Sequence, residues 1–134
     1  MKGNQVPAEK METGTISWTD LTVENADEIR NFYSEVVGWK FEFVSMGEYS
    51  DYTMLTPDTK KAVAGVCHAK GLNSSLPSQW LIYITVSSIE QSIEDCLKLG
   101  GKLIAEPKNY ASMGKYCVIQ DPAGAVCALF EENN

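Results

Sequence analysis

The chain has 134 residues, 44% hydrophobic and 22% charged, which suits one domain or two small modules sharing a core. Its net charge of −7, with no basic cluster, argues against binding to nucleic acid or to an anionic membrane surface. Its apolar runs are strand-sized, well under the roughly 20 residues of a membrane span.

The opening MKGNQVPAEKMETG is polar and lacks the apolar core of a secretory signal. Residues 1–13 are therefore expected to form a flexible tail, and the expected compartment is cytoplasmic. A β-rich run, TISWTDLTV (15–23), leads into a helix with Ala26, Ile29, Phe32, Tyr33, Val36 and Val37 at helical spacing. Asn25 stands where the N-cap belongs, Asp27 and Glu28 follow at the favourable end of the dipole, and Gly38 stops the helix. Strands are predicted over 39–44, 51–56 and 61–68, and GLNSSLPS (71–78) reads as a linker. The order then recurs. A strand over 80–86 precedes a helix that starts after Ser88, carries Ile89, Ile93, Cys96 and Leu97, and ends at Gly100–Gly101. Strands over 102–105, 115–120 and 125–131 complete the chain, with TPDTKK and QDPAGA as the turns before the last strand of each half.

The recurrence is visible residue by residue. With Trp18 laid over Leu81, an offset of 63 positions, Thr22 meets Thr85, Val23 meets Val86 and Gly38 meets Gly101. Asp58 likewise meets Asp121, and Ala62–Val63 meet Ala125–Val126, all without a gap. The pattern is βαβββ, twice. The four cysteines, Cys67, Cys96, Cys117 and Cys127, form no CxxC pair and no zinc-like spacing. Buried, reduced thiols are expected, with Cys117 or Cys127 the candidates if one is reactive.

The stretches WTDLTVENADEIRNFYSEVVGW (18–39), WLIYITVSSIEQSIEDCLKLGGK (80–102) and DPAGAVCALFE (121–131) resemble the vicinal oxygen chelate superfamily. That superfamily includes glyoxalase I, bleomycin-resistance proteins and extradiol dioxygenases. The resemblance implies an α+β fold of two βαβββ modules, 14–70 and 78–134, within one domain. Their sheets would form a cupped mixed sheet, with helices on the outer face. It also implies a small-molecule ligand in the cup and a homodimer. Metal-dependent members place His, Gln or Glu ligands on the first and last strand of each module. Those positions here are Trp18, Gly65, Leu81 and Ala128, none of which can coordinate a metal, so no cofactor is expected. The remaining metal candidates, His68 and Glu131, each lie three residues past a ligand position, and an odd displacement turns them from the cup.

Strand alternation assigns the cup face to Trp18, Asp20, Thr22, Leu81, Tyr83 and Thr85 on the first strands. From the last strands it adds Val63, Gly65, Cys67, Val126, Ala128 and Phe130. Leu21, Val23, Ala64, Val66, Ile82, Ile84, Val86, Cys127 and Leu129 then face the helices. The candidate ligand-binding residues are Trp18, Asp20, Gly65, Cys67, Leu81, Tyr83, Ala128 and Phe130. Trp18 either stacks on a ligand or fills space above Gly65 and Ala128. Asp20 is the candidate catalytic residue if burial raises its pKa, and otherwise a solvated rim acid. Trp80 is expected at a rim or dimer contact, and the facing of Tyr52 and Tyr116 stays open. The favoured function is binding of a small organic molecule without a catalytic metal, similar to the bleomycin-resistance type. Two alternatives stand beside it. One is a lyase, isomerase or dioxygenase that uses a metal or Asp20; the other is a dimeric scaffold whose cup is filled by its own side chains.

Overall fold

The computed structural model describes residues 10–110 and 112–133, so the first nine residues of the expected tail lie outside the described residues. Module one runs β1 (Ile16–Val23), α1 (Ala26–Val37), β2 (Lys40–Ser45), β3 (Ser50–Leu55) and β4 (Ala62–His68). A short 3-10 turn, Gly71–Asn73, lies in the linker. Module two runs β5 (Trp80–Thr85), α2 (Ile89–Lys98), β6 (Lys102–Tyr110), β7 (Gly114–Gln120) and β8 (Val126–Glu132). All strands join one eight-stranded sheet in the order β2-β3-β4-β1-β5-β8-β7-β6. The fold is α+β, two βαβββ units sharing a cupped mixed sheet.

The register carries the internal repeat into three dimensions. β1 runs parallel to β4 with Asp20 opposite Gly65, and β5 runs parallel to β8 with Tyr83 opposite Ala128. Both pairs obey the 63-residue offset. The modules meet where β1 and β5 run antiparallel, with Trp18 opposite Tyr83 and Asp20 opposite Leu81. Asp20 and Tyr83 are thus repeat mates on either side of a local twofold axis at the Thr19–Ile82 pair. The third strands break this symmetry. Gly65 lies opposite Thr53 but Ala128 lies opposite Val118, a register difference of two residues: the β3–β4 connection is one residue longer than the β7–β8 connection, and a bulge beside Leu55 adds the second. Tyr116 therefore corresponds to Asp51, one residue short of Tyr52, and the two tyrosines take opposite faces of the sheet.

Three clusters of buried side chains follow from strand alternation. Under α1, Leu21, Val23, Tyr52, Met54 and Val66 pack with Ile29 and Tyr33. Under α2, Ile89, Cys117 and Leu129 pack with Ile84, Val86 and Ile93. The third cluster lines the cup: Tyr83, Tyr116, Val118, Ala128 and Phe130, with Trp18 and Tyr110 against them. Met11, inside the stretch read as a tail, packs on this same cluster, and its N–H donates to Glu132 Oε1 at 2.9 Å. Trp80 departs from its expected rim position. It pairs with Leu21 on the helix side, where its Nε1 donates to Tyr33 Oη at 3.1 Å and its ring meets Trp39.

The helix ends show which sequence signals act. Gly38 adopts the left-handed conformation at φ 89° and returns its N–H to Ser34. Asn25 makes no side-chain cap, whereas Ser88 Oγ accepts from Gln91 N at 3.2 Å. Glu131 Oε1 accepts from Ile89 N at 2.8 Å, so its carboxylate serves the positive end of α2. Glu131→Ala should therefore lower stability by about 1 kcal/mol, and Glu131→Gln, which keeps an acceptor, by clearly less. Urea denaturation of both variants measures this; equal losses would remove the capping role. No helix among the described residues is long and apolar enough to cross a membrane.

Candidate functional site in the cup

Asp20 lies at the centre of the cup floor, on the strand where the two modules join. Its side chain is buried, with only 6% of the residue exposed. Trp18 Nε1 donates to Oδ1 at 2.6 Å and Tyr83 Oη donates to Oδ2 at 2.8 Å. The local geometry follows from the strand: residues 18 and 20 share a face, so the indole N–H folds back onto the acid two residues on. The space is supplied by Gly65, because a Cβ there would fall on Asp20 Oδ1 and lie 3.6 Å from Trp18 Nε1.

Desolvation dominates the electrostatics. Burial raises the Asp20 pKa above the ordinary carboxylate range, opposed by the hydrogen bonds from Tyr83 and Trp18 and reinforced by the charge of Asp51. Burial and the charge of Asp20 also push up the Tyr83 and Tyr110 hydroxyls, and hold that of Tyr116 at about 12. These phenols stay protonated and offer O–H groups to the cup. The Cys67 thiol is driven far up by burial and by Asp20 and Asp51, so it is no thiolate nucleophile at neutral pH. Cys117 is held at about 11 and Cys127 is also raised, burial being the main cause for each. Neither candidate for a reactive thiol keeps that role.

The cup encloses a cavity of about 540 Å³. Among the residues singled out from sequence, Trp18, Asp20, Gly65, Cys67 and Tyr83 line it. An adjoining cavity of about 370 Å³ shares Trp18 and Tyr83 and adds Phe130 and Met11. Leu81 and Ala128 are wholly buried and line neither. Asp51, Asn73, Met113, Tyr110 and Tyr116 are among the other residues lining the larger cavity, and no motif pointed to them. Tyr110 lies past residue 105, where the sequence places the end of that strand; Pro107 and two register shifts interrupt β6, which nevertheless continues.

His68 and Glu131 sit away from the cup. His68 Nδ1 is 3.2 Å from Asp51 Oδ1 and Nε2 is 3.4 Å from Asp27 Oδ1, so its two nitrogens address different carboxylates. Glu131 is spent on α2. The register brings Trp18, Gly65, Leu81 and Ala128 around the centre of the sheet, and none offers a nitrogen, oxygen or sulfur ligand of the usual kind. Among the described residues no three His, Cys, Asp or Glu side chains converge as a metal site. The residues present do not fit a chelated ion.

Two βαβββ modules joined through antiparallel first strands, with a cavity over the joint, define a paired-module cup protein. The chain belongs to the Glyoxalase/Bleomycin resistance protein/Dioxygenase superfamily, whose family model matches residues 15–129. It is 28% identical over 120 residues to a Mycobacterium tuberculosis protein named "Putative glyoxylase CFP32", covering 90% of this chain and 45% of that one. It is 24% identical over 130 residues to the anthracycline biosynthesis protein DnrV of Streptomyces peucetius, covering 89% and 47%. The chain thus spans about half the length of the curated relatives it matches. Among solved structures, methylmalonyl-CoA epimerase from Mycobacterium tuberculosis superposes with a TM-score of 0.56 at 14% identity, over 98% of this chain and 96% of that one. That likeness is one of fold.

Proposed function

We propose that this protein binds a small organic molecule in its cup, over Trp18 and the Asp20–Tyr83 pair, without a chelated metal ion. The observation that carries the proposal is the site itself. A buried, hydrogen-bonded carboxylate faces a cavity of about 540 Å³ whose other walls are largely aromatic and apolar. That volume within the cup also weighs against a scaffold that fills its cup with its own side chains. A homodimer in the cytoplasm belongs to the same proposal. Supporting association, the edge strand β2 exposes Phe43 and Val44, followed by Met46.

The test is a fragment screen of planar aromatic compounds followed by protein-observed NMR. Trp18→Ala should weaken the hits by about 2 kcal/mol or more while lowering folding stability by less. The reverse ordering would make Trp18 a packing residue and sink its role as a ligand wall. Elemental analysis of the purified protein tests the metal-free part. A stoichiometric metal that is lost on His68→Ala or Glu131→Ala would overturn it.

One observation favours a second reading, in which the protein is an enzyme that uses Asp20 as its acid or base. Burial raises the pKa of Asp20, the direction a general acid–base group needs. Proton exchange at an acidic carbon of a bound ligand, lost in Asp20→Asn, would establish it.

A further inference from the structure

The proposed pocket has a charge pattern that selects among ligands. Among the described residues, the only charged side chains lining the larger cavity are Asp20 and Asp51. Asp20 receives two neutral donors and no cation: Trp18 Nε1 at 2.6 Å and Tyr83 Oη at 2.8 Å. Each carboxylate oxygen can accept more than one hydrogen bond, so both keep acceptor capacity. Asp51 Oδ1 takes the His68 N–H at 2.8 Å and meets the imidazole at 3.2 Å.

The aromatic rings lie in contact around the acid. Tyr83 and Tyr116 are 5.8 Å apart, Tyr110 and Tyr116 are 5.6 Å apart, and Trp18 closes the other side. An ammonium among ring faces is attracted by their quadrupoles, more strongly where water is excluded. The protein already uses this wall in that way, since Lys108 Nζ lies 5.3 Å from the Tyr116 ring centre. That ammonium is tied to Asn73 Oδ1 at 2.7 Å, and it is not among the groups that shift Asp20. Among the described residues lining the cavity, the floor acid has no counter-charge.

We propose that the cup takes an organic cation: a planar aromatic group against Trp18 and the tyrosines, with its charged nitrogen directed at Asp20. This rests on the small-molecule reading above and narrows it to a class. Anions meet two carboxylates and no cation on the cavity lining. Neutral molecules leave the desolvated acid uncompensated.

The experiment compares 1-naphthylmethylammonium, 1-naphthalenemethanol and 1-naphthoate, which share a ring system and differ in charge. Binding is followed through the Trp18 indole N–H resonance, assigned by its loss in Trp18→Phe. The expected result is a saturable shift with the ammonium at least about tenfold tighter than the alcohol, and weaker binding still for the carboxylate. In Asp20→Asn the ammonium should fall to the level of the alcohol; should that variant not fold, Asp51→Asn should reduce the preference severalfold. An alcohol or carboxylate that binds as tightly as the ammonium overturns the cation class and leaves the pocket standing. No shift from any of the three overturns both.

Discussion

Gly65→Ala should destabilise the protein by about 3 kcal/mol. The added Cβ would fall on Asp20 Oδ1, with Trp18 Nε1 at 3.6 Å. A clash with the free end of a long side chain is relieved by a small rotation. Asp20 has no such freedom, because both oxygens are pinned and the residue is 6% exposed. Moving it breaks hydrogen bonds to Trp18 and Tyr83 and leaves a buried acid with poorer partners. Urea denaturation gives the magnitude, and a double-mutant cycle gives the cause. In an Asp20→Ala background the same substitution should be milder by about 1 kcal/mol or more. An unchanged penalty there would place the strain in the backbone rather than at the acid.

Asp20→Asn should leave the protein at least as stable at neutral pH, with a gain of about 1–3 kcal/mol. The amide keeps the shape of the acid. Its oxygen can accept from Trp18 Nε1, and its NH₂ can donate to Tyr83 Oη once the phenol turns its proton away. The parent, by contrast, carries an acid whose ionised form is disfavoured by burial. Its folded pKa lies above the unfolded value near 3.8. The stability this group contributes is therefore fully present below that unfolded value and is lost as pH rises through the raised folded pKa. Denaturation curves collected from acid to neutral pH should show that loss in the parent and not in Asp20→Asn. A variant that tracks the parent across the whole range would show that Asp20 ionises in the fold as freely as in water.

Much of this site was legible before any coordinates. Alternation along TISWTDLTV put Trp18, Asp20 and Thr22 on one face, and the offset that lays Trp18 on Leu81 is the offset of the sheet register. The bond between Asp20 and Tyr83 was less legible, since alternation assigns faces and not distances across a sheet. Asp51 and Tyr116 escaped for a different reason. Their facing depends on hairpin register, and the gapless offset hid a two-residue difference between the modules, one residue of it in the connection and one in a bulge. Tyr110 lay beyond a proline and two bulges, where periodicity gives no guidance. Trp80 was misplaced because the expected rim role ignored its pairing with Leu21.

The two-residue difference in register between the β3–β4 and β7–β8 hairpins makes the two ends of the cup unlike. Two identical modules about a twofold axis would make a receptor with interchangeable ends, and a ligand could lie in it head-first or tail-first with equal energy. Here the shifted hairpin sets Asp51 where the other module has Tyr116. One end is an acid and the other a phenol, with Asp20 and Tyr83 repeating the same opposition across the axis itself. A molecule with unlike ends, bound as proposed above, would therefore favour a single orientation, and its two faces would be distinguishable to the protein. The repeat shapes the vessel, and a small mismatch in hairpin register gives it a direction.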